Sequence, residues 1–141
     1  MLIFKKPTET EFRQVKRLVQ EYDLYSEELQ PNQVTILKND DKLLAFGSIR
    51  QGDNFAELEC VGVAQDQRGK GWGKMLVKKM LESGPETVWL ATTMPKYFEQ
   101  FNFVPSKQVP RELSKRIQPM DPLAKMPAKN RLKAMVFSKK K

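Results

Sequence analysis

The chain has 141 residues, with 25 lysines and arginines against 17 acidic residues, a net charge of +8 and an isoelectric point near 9.6. That length supports one domain over residues 1–141 with a core of ordinary size, stable without metals or crosslinks. The single cysteine excludes an internal disulfide, and the absence of histidine removes the commonest general base and the commonest metal ligand, so no metal site is expected.

Thr8-Glu9-Thr10-Glu11 supplies a capping box, and Phe12, Val15, Leu18, Val19 and Tyr22 follow at helical spacing, which predicts a helix over 9–21. The polar and partly acidic stretch DLYSEELQPN then leads into sheet. Apolar runs over 34–38, 42–50 and 55–63, separated by turns at Asn39-Asp40-Asp41 and Gln51-Gly52-Asp53-Asn54, predict an antiparallel meander. A glycine-rich turn, QRGKGWG at 67–73, follows. Behind it Met75, Leu76, Met80 and Leu81 predict one face of a second helix, stopped by Ser83-Gly84-Pro85.

Thr87 to Thr92 is short and rich in β-formers, hence a buried strand. Pro95 opens a short helix, KYFEQF, ending at Asn102, and Phe103-Val104 starts another strand. Within the proline- and lysine-rich 105–129 only a short helix near 111–117 is predicted, and RLKAMVFS at 131–138 reads as a closing strand. The fold class is therefore mixed α/β (α+β), a mixed central sheet with an antiparallel N-terminal meander flanked by helices.

No segment approaches the roughly 20 apolar residues of a bilayer span, and MLIFKKPTETEF is too short in apolar residues for a secretory signal, so a cytoplasmic protein with no membrane partner is expected. Lysine clusters at Lys5-Lys6, Lys78-Lys79 and 139–141 read as solvated surface. No nucleic-acid-binding pattern accompanies them, and nucleic acid is not the expected partner.

A strand, a glycine-rich turn and a helix in that order form an anion site, because the first helical turn presents unpaired N–H groups and glycines admit a phosphate close to the backbone. A P-loop is excluded: Gly69 and Gly73 are one residue too close, and Met75 stands where the hydroxyl is needed. A dinucleotide loop is excluded too, since Lys74 holds the third glycine's place.

The run Arg68-Gly69-Lys70-Gly71-Trp72-Gly73, continued by Lys74, resembles the pyrophosphate loop of the GNAT superfamily of N-acetyltransferases, Arg/Gln-x-x-Gly-x-Gly/Ala. AELECVGV, the Ala91 to Thr93 triplet, KYFEQFNF and KNRLKAMVF are similar to the acetyltransferase part of bacterial N-acetylglutamate synthases. The resemblance implies a GNAT fold, acetyl-CoA as cofactor and a small, amino-acid-like amine as acceptor, glutamate among the candidates. It further implies that residues 68–74 hold the pyrophosphate of coenzyme A and that Val61, Gly62 and Val63 pair with its pantetheine amides. A homodimer is left open.

Four features depart from the pattern. The amino-acid-kinase-like domain of many such synthases has no counterpart here, Trp72 replaces an aliphatic residue and is expected to pack at the helix start, and Phe98 occupies the position of a tyrosine common in the superfamily. Where the resembled synthases are arginine-rich, residues 23–28 are acidic, which is expected to disfavour a dicarboxylate beside that end of the pocket.

Acyl transfer to an ammonium needs a base or a water chain, and the leaving thiolate needs a proton or a dipole. Glu57 and Glu59, two apart on one strand face, are the base candidates, and Tyr97 is the candidate donor to the thiolate. Cys60 is expected on the opposite face, as a small residue on the acceptor side rather than a nucleophile. Arg111, Arg116 and above all Arg131 are the cations able to pair with an acceptor carboxylate. Two rival readings stay open, a catalytically silent acyl-CoA-binding module and a basic nucleic-acid-associated factor.

Overall fold

The computed structural model describes residues 1–26, 28–117 and 132–139. Seven strands form one sheet in the order β1-β2-β3-β4-β5-β7-β6: β1 (Leu2–Lys5), β2 (Val34–Asn39), β3 (Lys42–Gln51), β4 (Ala56–Val63), β5 (Thr87–Thr92), β6 (Val104–Pro105) and β7 (Lys133–Ser138). Among the described residues four α-helices accompany them: α1 (Glu9–Glu21), α2 (Trp72–Ser83), α3 (Pro95–Glu99) and α4 (Arg111–Ile117). All pairings are antiparallel except β4 with β5. That is the expected mixed sheet with an N-terminal meander.

The sequence pattern does not predict β1. Leu2 and Ile3 are both exposed, so the four residues show no alternation, and pairing with β2 alone makes them a strand. α1 starts as expected, with the Thr8 hydroxyl accepting from the Glu11 N–H and the Glu11 carboxylate accepting from the Thr8 N–H. The same carboxylate accepts from Lys5 and Lys38, which ties α1 to β1 and β2 and holds Glu11 down at about 2, the Lys38 bond being the largest cause.

The α2 stripe differs from the expected one. Gly73, Leu76, Val77, Met80 and Leu81 are buried at helical spacing, while Met75 lies outside that stripe and is 39% exposed. They join Leu37, Leu44, Leu58, Leu90 and Met135 in the core on one face of the sheet. On the other face Val15 and Val19 of α1 pack on Val34, Ile36, Leu43, Phe46 and Cys60.

After α3 the chain turns through Asn102, whose φ of 70° is the left-handed conformation expected of that residue, and Phe103 goes into the core while the strand itself is only Val104–Pro105. α4 covers the expected 111–117. The closing strand begins at Lys133, and the predicted position of Arg131 lies outside the described residues. No described helix is long and apolar enough to cross a membrane.

Candidate active site

β4 and β5 run parallel but pair only at Glu57↔Trp89. Beyond that pair the carboxyl halves of the two strands border a cavity of about 270 Å³, with Glu59, Cys60 and Val61 on one wall and Leu90, Ala91 and Thr92 on the other. Among the described residues Leu24, Tyr25, Met94, Phe98 and Arg116 help close it.

A bulge in β4 shapes this opening. Phe46 pairs with Gly62 and Ser48 with Glu59, so Gly47 alone stands against Cys60 and Val61, and Cys60 takes a φ of 48°. The extra residue breaks the alternation on which the expectation for Cys60 rested. Its side chain joins the α1-side cluster, the face that Glu59 shares with Ser48, and is not on the opposite face. Burial, and secondarily the neighbouring Glu59, pushes the Cys60 thiol up to about 12, so it lines the cavity as an uncharged group.

Glu57 and Glu59 share that face as expected, and the structure separates their surroundings. Glu57 is 1% exposed and accepts from the Arg50 Nη2 at 3.0 Å and the Arg116 Nη1 at 3.0 Å, while the Arg116 Nη2 reaches its second oxygen. Arg116 also stacks on Tyr25, with its guanidinium carbon 4.2 Å from the ring centroid. Burial alone would lower the Arg116 pKa, and the bonds and charge of Glu57 outweigh that and raise it. Glu59 is 6% exposed, lies 3.6 Å from the Arg50 Nε and accepts from the Ser26 hydroxyl at 3.4 Å.

The sequence reading missed Arg50, Tyr25 and Ser26. Arg50 was in principle findable, since folding the 51–54 turn back on itself places it opposite Glu57, which is its cross-strand partner. Tyr25 and Ser26 reach the site through the α1–β2 connection, which has no periodicity to read. In that connection Asp23 and Glu28 are exposed, and the residues facing the cavity are Leu24 and Tyr25. Asp23 and Glu28 are therefore not among the residues that line the cavity, and Glu27 lies outside the described residues. Arg111 is exposed and outside the cavity lining, and Arg131 is outside the described residues.

The glycine turn joins the end of β4 to α2. Gly69 and Gly71 have φ of 83° and 85°, and a Cβ built on either meets nothing within 4 Å, so the loop is left-handed and open to solvent. Gly73 is demanded by packing instead, because a Cβ there would lie 3.1 Å from the Val63 Cγ2. Arg68 donates from Nε to the Val63 carbonyl at 3.2 Å and lies over the Tyr22 ring, while Lys70 and Lys74 are exposed. Trp72 packs against the core on the α2 side, as expected.

Tyr97 is not among the residues that line this cavity. Its hydroxyl lies 3.8 Å from a Cβ built on Gly73, its ring packs edge-on against Phe98 and Phe101, and desolvation raises its pKa. The cavity wall at this point is Phe98. Among the described residues no group of three His, Cys, Asp or Glu side chains is arranged to hold a metal.

Comparison with known proteins agrees with this architecture. N-acetylglutamate synthase from Neisseria gonorrhoeae, complexed with coenzyme A and N-acetyl-glutamate, superposes with a TM-score of 0.74 at 13% identity over 98% of this chain and 35% of its own. The present chain thus spans about a third of that synthase. Rv2747 from Mycobacterium tuberculosis, in complex with CoA, gives 0.71 at 16% identity over 96% of this chain and 98% of its own. The ribosomal-protein-S18-alanine N-acetyltransferase of Escherichia coli gives 0.62 at 14% identity over 96% and 91%. No curated protein matches by sequence. The model of the acetyltransferase (GNAT) family matches residues 3–103, most of the chain including β4, the glycine turn and α2, and the protein belongs to that family.

Proposed function

We propose that the protein transfers an acetyl group from acetyl-CoA to the amine of a small acceptor, with Glu59 as the proton acceptor. The observation that carries the reading is the order along β4 of a buried carboxylate, the bulge that opens the strand beyond it, and an open glycine loop between the strand's end and α2.

The residues present fit coenzyme A. The N–H groups of residues 69–73 and the first turn of α2 are suited to the pyrophosphate, and the side-chain-free space at Gly69 and Gly71 admits it. Val61, Gly62 and Val63, on the edge of β4 that diverges from β5, are suited to the pantetheine amides. When bound, acetyl-CoA supplies an acyl group activated as a thioester.

Glu59 takes a proton from the acceptor ammonium, which frees the lone pair that attacks. Glu57 is assigned the supporting role, because both its oxygens already accept from guanidinium N–H groups. Cys60, neutral at working pH, forms part of the acceptor wall and no acyl-enzyme. Tyr97, beside Gly73, is assigned to the cofactor groove, which leaves protonation of the departing thiolate to water.

Glu59→Gln tests the assignment. Turnover is expected to fall roughly 10²- to 10⁴-fold with acetyl-CoA binding intact, the range for loss of a general base. A variant with wild-type turnover would remove Glu59 from the chemistry. The second reading, a silent acyl-CoA-binding module, is favoured by Phe98 in the cavity wall where a hydroxyl would serve, and it predicts acetyl-CoA binding without thiol release on any amine.

A further inference from the structure

The arrangement of charge around the cavity bears on which amine enters it. Arg116 is the one guanidinium among the described residues that lines the cavity, and its two terminal nitrogens are already taken by Glu57 in a two-pronged contact. One face of the same guanidinium is covered by Tyr25. Arg50, behind the wall, is likewise engaged by Glu57 and Glu59. Among the described residues these two guanidiniums are thus paired with the two carboxylates.

We propose that Glu57 is a specificity residue: it fills the guanidinium fork that an acceptor carboxylate would need, so the cavity takes primary amines whose neighbouring groups are neutral or cationic and discriminates against acidic ones. The proposal rests on the acetyltransferase reading of this site and names the class of acceptor. A carboxylate entering beside Glu57 and Glu59 would find the Arg116 fork occupied and like charges next to it, whereas an ammonium would meet opposite charge. The internal carboxylate occupies the place of the external one.

The experiment is a thiol-release assay of the full chain with acetyl-CoA and paired acceptors of equal size, glutamine against glutamate, with leucinamide and putrescine alongside. The wild type is expected to give kcat/KM at least tenfold higher for glutamine than for glutamate. Glu57→Gln, which removes the charge and releases the fork, is expected to bring that ratio down by tenfold or more through the KM for glutamate. Should that variant fail to fold by circular dichroism, Glu57→Asp keeps the charge but withdraws the carboxylate by one methylene, and a threefold fall in the ratio is expected. Glutamate as the preferred wild-type acceptor, or a ratio that neither variant moves, overturns the proposal.

These outcomes are separable from failure of the catalytic reading. If no amine is turned over, that reading is lost, and calorimetric titration of glutamine and of glutamate into the protein with coenzyme A decides specificity by itself. Tighter binding of glutamate then overturns the proposal, and tighter binding of glutamine supports it.

Discussion

Gly71→Asp separates the fold from the proposed phosphate site. Gly71 sits at φ 85°, ψ 10° as the N-cap of α2, and a Cβ there touches nothing within 4 Å, so the cost to the fold is the left-handed conformation alone, roughly 1–2 kcal/mol. For a chain of this size each kcal/mol moves the melting temperature by about 3–5 °C, so a fall of about 3–10 °C is expected with no change in circular dichroism. The effect on the ligand is larger. Like charges about 4 Å apart at an effective dielectric near 20 repel by about 4 kcal/mol, which corresponds to roughly a thousandfold loss of affinity. In the wild type, acetyl-CoA at about 100 times its dissociation constant adds roughly 2.7 kcal/mol, or about 8–13 °C. Thermal melts of both proteins with and without acetyl-CoA, with ATP and NADH as controls, read all of these quantities. A variant that keeps the full acetyl-CoA shift, or a wild type that shows none, would refute the placement of a phosphate on this loop.

Gly62→Ala acts on the fold rather than the ligand: its Cβ would come 2.5 Å from the Phe46 Cζ in a fully buried ring, so about 1–3 kcal/mol of overpacking is expected in a denaturant melt, and a neutral substitution would mean that Phe46 has room to move. Glu11 carries a pH dependence. Its folded pKa of about 2 lies below the ordinary 4.5, so its contribution is present above about pH 4.5 and is lost as the pH falls towards 2. Glu11→Gln is expected to cost about 1–2 kcal/mol at neutral pH once solvent screening is allowed for, and to flatten the stability profile over that acid window; parallel profiles for the two proteins would count against the cluster with Lys5 and Lys38. Cys60, at about 12 and buried, should resist iodoacetamide at pH 8 in the native state and react on unfolding in urea, and rapid native alkylation would show a more exposed thiolate than the β4 bulge provides.

The sequence alone determined those parts whose signals are local. The capping box at Thr8, the meander turns, the glycine turn before α2 and Asn102 at φ 70° each depend on a few adjacent residues, because caps and left-handed positions are set by side chains within one turn. The glycine turn proposed to hold the cofactor was legible as a turn for the same reason: residues 68–73 are contiguous and their left-handed positions are set locally. The proposed acceptor site was legible only in part. Glu57 and Glu59 could be paired by strand alternation, but a single extra residue in β4 moved Cys60 across the sheet, and no pattern in AELECVGV announces that bulge. Only the tertiary structure decided that Glu57 is held by Arg50 and Arg116 while Glu59 lies beside Arg50 and Ser26, since those partners arrive from β3, from α4 and from the segment after α1. Ion pairs between elements far apart in the chain leave no periodic trace, and they are formed only when the sheet order brings their ends to one cavity.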